Sequence, residues 1–139
     1  RPHMDIIVTP HLGEMARLTG DSVSFIQSKL IDSATDFANK YNVICVLKDF
    51  RTITALPYSS VFINLSGNPG MASAGSGDVL SGIIGGLLAQ GVVSEKAAGL
   101  GVYIHGLAGD EAMRQKGSYS MMAGDIIDGL SYVMCTISG

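Results

Sequence analysis

The segment Gly75-Ser76-Gly77-Asp78 combines two things that phosphoryl chemistry needs, a bare backbone and a carboxylate. It closes a loop of small residues, Ser66 to Gly77, and runs straight into an apolar stretch that reads as a helix from Asp78 to Gln90. The first N–H groups of a helix lack internal partners and carry the positive end of its dipole. Glycines let an anion approach them, which makes the turn a candidate phosphate site. Asp78 stands at its mouth, where a carboxylate can take the proton of a hydroxyl being phosphorylated. Aspartate is also a favoured N-cap, and capping alone would place it there, so the residues themselves leave both roles open. The loop has neither the G-K-[ST] of a Walker A motif nor a G-x-G-x-x-G fingerprint.

Two further segments carry groups that suit a nucleotide site. Thr9-Pro10-His11-Leu12-Gly13-Glu14 puts His11 and Glu14 three residues apart just after an apolar run, where α/β proteins collect ligands. A solvated histidine and a capping glutamate would leave the same trace. Val46-Leu47-Lys48-Asp49-Phe50-Arg51-Thr52 offers a lysine to a phosphate and a threonine hydroxyl to a hydrogen bond, although a lone lysine after a strand is commonly solvated. In Tyr103-Ile104-His105-Gly106-Leu107-Ala108-Gly109-Asp110 the small residues point to close helix packing, with His105 structural. Asp125 reads as a helix-entry residue, and the seven methionines read as core filling.

The elements that must position these groups follow from hydrophobic spacing. Asp5 to Val8 and Val43 to Leu47 are continuous apolar runs of the kind that form strands covered on both faces. Glu14 to Leu18 predicts a short helix ending before Gly20. Asp21 predicts the cap of a longer helix reaching about Lys40, with Phe25, Ile26, Leu30, Ala34, Phe37 and Ala38 as its buried stripe. Arg51 to Leu56 and Ser60 to Leu65 flank Pro57-Tyr58-Ser59 as a hairpin. Ser94 to Gln115 and Ala123 to Thr136 complete the pattern as helices. The order predicts a layered α/β domain. About four strands are few for so many apolar helices, which points to a fragment of a larger domain. Residues 1–4, Arg-Pro-His-Met, read as vector-derived, which takes His3 out of any site argument.

Composition narrows the function classes. The 139 residues are 47% hydrophobic and 15% charged, which excludes a disordered chain. A net charge of −3 without a Lys/Arg run offers no face to nucleic acid. No apolar run approaches the roughly 20 residues that cross a bilayer, so the expectation is a cytoplasmic protein with no membrane partner. Cys45 and Cys135 both lie among apolar neighbours and are expected as buried, reduced thiols.

The run Asn68-Pro69-Gly70-Met71-Ala72-Ser73-Ala74-Gly75-Ser76-Gly77-Asp78-Val79-Leu80-Ser81-Gly82 resembles the ribokinase-like G-x-G-D signature. It resembles in particular the ADP/ATP-dependent NAD(P)H-hydrate dehydratases, with N-x-G-M-A-x-x-G-x-G-D-V-L-S-G. The T-P-H-x-G-E and V-L-K-x-x-x-T segments are similar to that branch too, with Leu12 in place of a proline and Asp49 in place of a glycine. The resemblance implies a ribokinase-like three-layer α/β sandwich of which residues 5–139 are the C-terminal half. It implies ADP or ATP with Mg²⁺ as cofactors, and NADH-hydrate or NADPH-hydrate as substrate. In that reading Gly75, Ser76 and Gly77 form the anion hole and Asp78 is the base. Gly77 and the loop Lys48, Asp49, Phe50, Arg51 and Thr52 meet the nucleotide, His11 meets the hydrated dinucleotide, and Glu14 organises the metal. Two other readings are a ribokinase-like kinase of a small alcohol and an inactive binding or assembly module. Association with a second copy, or through the surface of the absent half, is expected as well.

Overall fold

The computed structural model describes residues 5–72, 75–117 and 121–138. Residues 1–4, expected as vector-derived, and Ser73-Ala74 of the glycine loop lie outside the described residues. The chain divides into two compact units, residues 1–64 and 65–139.

In the first unit, β1 (Ile7–Val8) pairs in parallel with β2 (Ile44–Leu47), and β3 (Ile53–Ala55) and β4 (Val61–Ile63) add antiparallel partners in the order β1-β2-β3-β4. The parallel pair requires a crossover, supplied by α1 (Leu12–Thr19), α2 (Val23–Ser28) and α3 (Leu30–Tyr41). Every residue of β2 is buried, as its uninterrupted apolar run predicts. One face of the sheet, through Cys45, Leu47, Ile53 and Ala55, joins Met15, Ile26, Ala34 and Phe37 in a single core. Burial pushes the Cys45 thiol up to about 12, so it behaves as an apolar side chain at neutral pH. Cys135 departs from expectation, since it is exposed on its helix.

The long helix expected from Asp21 to Lys40 is two helices. Ser22, not Asp21, is the cap, its Oγ accepting the Phe25 N–H at 3.1 Å. The break falls at Lys29, with φ −139° and ψ 52°. There the Ser28 hydroxyl donates to the Phe25 carbonyl at 2.7 Å, and the Lys29 N–H turns to Ile26. A hydroxyl competing for backbone partners is the physical cause. Phe25, expected in the buried stripe, is 47% exposed. The hairpin forms as expected, and its tip holds Tyr58 at φ 54°. Asn39 holds that strained turn, accepting the Tyr58 N–H at 2.7 Å on its side chain and the Tyr58 hydroxyl at 2.9 Å on its carbonyl.

The second unit consists of a 3-10 turn (Pro69–Met71), α4 (Ser76–Ala89), α5 (Ser94–Lys116) and α6 (Ala123–Ser138). Helix α5 is the element the others meet, and its buried positions are almost all Gly or Ala. Residues of the Ser66–Met71 loop lie directly on its backbone. A Cβ at Gly106 would stand 2.8 Å from the Ser66 carbonyl carbon, and one at Gly109 would overlap the Met71 side chain. Met71 itself packs against Ala108, Ala112, Met121 and Ile126, so its role is core filling. At α6, Asp125 accepts the Met122 N–H at 2.9 Å, the reach-back bond of a helix entry.

Alanine at Gly106 meets backbone that cannot rotate away, so crowding outweighs the ~1 kcal/mol that alanine gains over glycine within a helix. Gly106→Ala is expected to destabilise the full-length protein by about 1–3 kcal/mol. Gly85→Ala, where nothing lies within 4 Å of the added carbon, is expected to stabilise it by up to about 1 kcal/mol. Thermal unfolding of the two variants side by side checks the contrast.

Candidate phosphoryl-transfer site

The first set of expected site residues comes together at the C-terminal ends of β1 and β2. His11 and Lys48 are bridge partners, and the Lys48 N–H donates to the Pro10 carbonyl at 2.9 Å. The two loops are thereby held side by side at the strand ends, where open α/β sheets bind ligands. His11 is the N-cap of α1. Its Nδ1 accepts the Glu14 N–H at 3.1 Å, while Glu14 Oε1 accepts the His11 N–H at 3.1 Å and lies 3.2 Å from His11 Nε2. This capping box satisfies two N–H groups that the helix itself leaves open. Both side chains stay about half exposed, so the cap leaves part of each open to solvent. The backbone hydrogen bond from His11 is the main cause that holds the Glu14 carboxyl below its ordinary range; partial desolvation opposes it, and His11, Lys48 and Arg17 add smaller attractions.

In the Lys48–Thr52 loop, Lys48, Asp49 and Thr52 are half-buried, and Phe50 is 65% exposed beneath the Arg51 guanidinium, 4.9 Å from the ring centroid. Asp49 replaces a glycine without strain, because its backbone is not in the left-handed region. The Thr52 carbonyl accepts the Asn64 N–H at 3.0 Å and starts the hairpin.

The second set lies at the start of α4, and here the structure corrects the sequence reading. The helix begins at Ser76, with Gly75 as its cap at φ 85°, ψ −9°. Asp78 is therefore the third residue of the helix and not its N-cap. Glycine is required at position 75 by that left-handed backbone, and no side chain among the described residues caps the helix. The first-turn amides of Ser76, Gly77 and Asp78 receive no side-chain cap among the described residues, and the exposed Asp78 lies in the same turn, an arrangement that can receive an anion. Ser76 is buried, its Oγ 3.3 Å from His105 Nε2 on α5. His105 on α5 thus meets Ser76, the first residue of α4. From Asp78 an apolar groove of about 530 Å³ runs between α4 and α6, past Val79, Ile83, Leu87, Ile127 and Leu130.

Sequence reading missed Asp110. Its Oδ2 accepts the Gly67 N–H and its Oδ1 accepts from Asn68 Nδ2, both at 3.0 Å. Asn68 Oδ1 in turn accepts the Gly70 N–H at 3.1 Å. The available signal was an acidic residue closing a helical stretch otherwise built of small and apolar residues.

Comparison with known proteins identifies the fold and the family. The fold is that of a ribokinase-like α/β protein. The Bacillus subtilis ADP/ATP-dependent NAD(P)H-hydrate dehydratase co-crystallised with ATP/Mg²⁺ superposes with a TM-score of 0.92 at 30% identity, over 98% of this chain and 50% of that one. A ribokinase-like superfamily protein from Enterococcus faecalis gives 0.75 at 35% identity, over 92% of this chain and 43% of that one. A family model described as NAD(P)H-hydrate dehydratase matches residues 1–131, and the chain belongs to that family. The bifunctional NAD(P)H-hydrate repair enzyme of Moorella thermoacetica is 52% identical over 132 residues, which are 95% of this chain and 25% of the relative. The ADP-dependent (S)-NAD(P)H-hydrate dehydratase of Neisseria meningitidis is 42% identical over 123 residues, or 88% and 42% of the two chains. The chain thus spans half or less of the length of these proteins.

The cap at α1 carries a pH signature. Because Glu14 has a lowered pKa in the folded state, its contribution to stability is fully present above the ordinary glutamate pKa. It is lost as pH falls through the lower folded value. Glu14→Gln is expected to remove that component, so the stability of variant and parent should converge in acid and separate toward neutrality. Urea unfolding across pH 3–7 checks it.

Proposed function

We propose that this chain is the C-terminal, phosphoryl-handling half of an enzyme that repairs hydrated NADH or NADPH with ADP or ATP as phosphoryl donor. The observation that carries the reading is the turn at Gly75, which no side chain among the described residues caps and whose Ser76–Asp78 amides can receive an anion, with the Asp78 carboxylate in the same turn. The family's shared activity supplies the reaction.

The hydrate carries a ring hydroxyl, a poor leaving group. Asp78 takes its proton as the oxygen attacks the terminal phosphorus of the nucleotide and the bond to the shorter nucleotide breaks. The amides of Ser76, Gly77 and Asp78 hold the charge on the migrating phosphoryl group. Elimination of phosphate with loss of a ring proton then restores the dihydronicotinamide. In the first unit Lys48 and Thr52 serve the nucleotide, the exposed Phe50 with Arg51 offers a flat surface, and His11 serves the hydrated dinucleotide; in the second unit the nucleotide role falls to Gly77.

The donor set fits a magnesium ion held chiefly by phosphates and water. Among the described residues no group of three or more His, Cys, Asp or Glu could hold a metal alone. Glu14 uses Oε1 for the cap and has Oε2 for the ion or its waters. When bound, the ion neutralises charge on the transferring group.

Among the described residues no helix is long and apolar enough to cross a membrane, and we place the enzyme in the cytoplasm, acting on small molecules. Its apolar α4–α6 groove favours association, with a second copy or with the rest of the domain.

The test is recovery of reduced-nicotinamide absorbance from hydrated NADPH by the full-length protein with ADP or ATP and Mg²⁺. Asp78→Asn is expected to slow it by about 10²–10⁴-fold. A folded, nucleotide-binding protein that recovers nothing overturns the reading, and a stable phosphorylated alcohol as product would make the protein a kinase instead.

A further inference from the structure

Helix α5 touches the glycine loop at a series of points along one side. The Ser66 Oγ donates to the Tyr103 carbonyl at 3.0 Å, and His105 meets Ser76. Gly106 and Gly109 admit Ser66 and Met71, and Asp110 receives Gly67 and Asn68. Positions 103, 106 and 110 share one helical face, since residues three and four apart are neighbours. Most of these contacts are packing or single bonds to neutral groups. Asp110 differs, because both of its oxygens accept from the loop and its charge strengthens both bonds.

We propose that Asp110 is the positioning residue of the phosphoryl site, with Asn68 as its relay. The inference rests on the proposed role of the Gly75–Asp78 turn. Asn68 is the point of transmission. It donates to Asp110 through Nδ2, and through Oδ1 it caps the 3-10 turn at the Gly70 N–H. That turn ends at Met71, four residues before the Gly75 cap. The carboxylate on α5 therefore sets where the loop enters the anion-binding turn, while the His105 contact sets where the turn leaves it. Displacing reacting groups by about 1 Å can cost about 10²-fold in rate. The role proposed for Asp110 is indirect, through Gly67 and Asn68.

The chemistry of the pair permits a reciprocal exchange. In Asn68→Asp two carboxylates face each other. In Asp110→Asn two amides do, with one acceptor lost. The double variant combines both substitutions. Its amide at position 110 accepts the Gly67 N–H and donates to the carboxylate at position 68. The other oxygen of that carboxylate accepts the Gly70 N–H, so every bond is rebuilt, with donor and acceptor reversed between the two side chains.

The experiment uses the full-length protein and two readouts, steady-state repair of NADPH-hydrate with ADP and Mg²⁺, and hydrogen–deuterium exchange over residues 66–72. Each single variant is expected to lower kcat by about 10–100-fold with little change in KM for ADP, and to speed exchange in that segment alone. The double variant is expected to recover most of both losses, a coupling that independent sites do not show. Single variants with parental kcat and parental exchange overturn the proposal. So does a double variant no better than the worse single one. If a single variant fails to fold, Asp110→Ser, which lacks the two-oxygen clamp, replaces it under the same criteria. If the parent protein itself shows no repair, the functional reading fails separately, and the exchange pattern with ADP affinity still decides whether the clamp positions the loop.

Discussion

The loop that precedes α4 can lie against α5 only where α5 has almost no side chains, and that requirement governs the second unit. Without Cβ atoms at Gly106 and Gly109 the Ser66 backbone and the Met71 side chain reach the helix surface. Only then do the Gly67 and Asn68 groups come within hydrogen-bond range of Asp110. The small residues of α5 are therefore matched to a loop and not merely to a neighbouring helix. The loop needs this support because its own residues are too small to supply a core. It gains its shape from the surface beneath it.

The first unit solves the opposite problem. Its sheet is buried through β2 and carries loops whose side chains are long and polar, so the scaffold is rigid and the side chains reach outward. Local contacts set their directions. His11 and Glu14 hold each other, and Arg51 lies over Phe50.

Much of this was legible in the sequence, for physical reasons. Val43 to Leu47 has the continuous apolar run of a strand buried on both faces, and Pro57-Tyr58-Ser59 between two short apolar runs suits a hairpin turn; both formed. The G-x-G-D segment marked the start of a helix by its small residues. Three things were not legible. The break at Lys29 depends on a serine hydroxyl choosing a carbonyl one turn back, which apolar spacing does not record. The start of α4 falls at Ser76 because Gly75 adopts a left-handed conformation, whereas a G-S-G-D string permits a start at any of its polar residues. Asp110 and Asn68 are partners across 42 positions, and no local pattern links them.

The cap at α1 has a consequence for what His11 can recognise. Its Nδ1 is committed as an acceptor to the Glu14 amide, so the neutral ring carries its proton on Nε2. That nitrogen lies 3.2 Å from Glu14 Oε1 and is the ring's one hydrogen-bond donor when neutral. The folding of one short helix thereby selects a tautomer, and the tautomer selects a polarity. The loop after β1 can offer hydrogens to oxygens, and it has no lone pair on that ring with which to receive them.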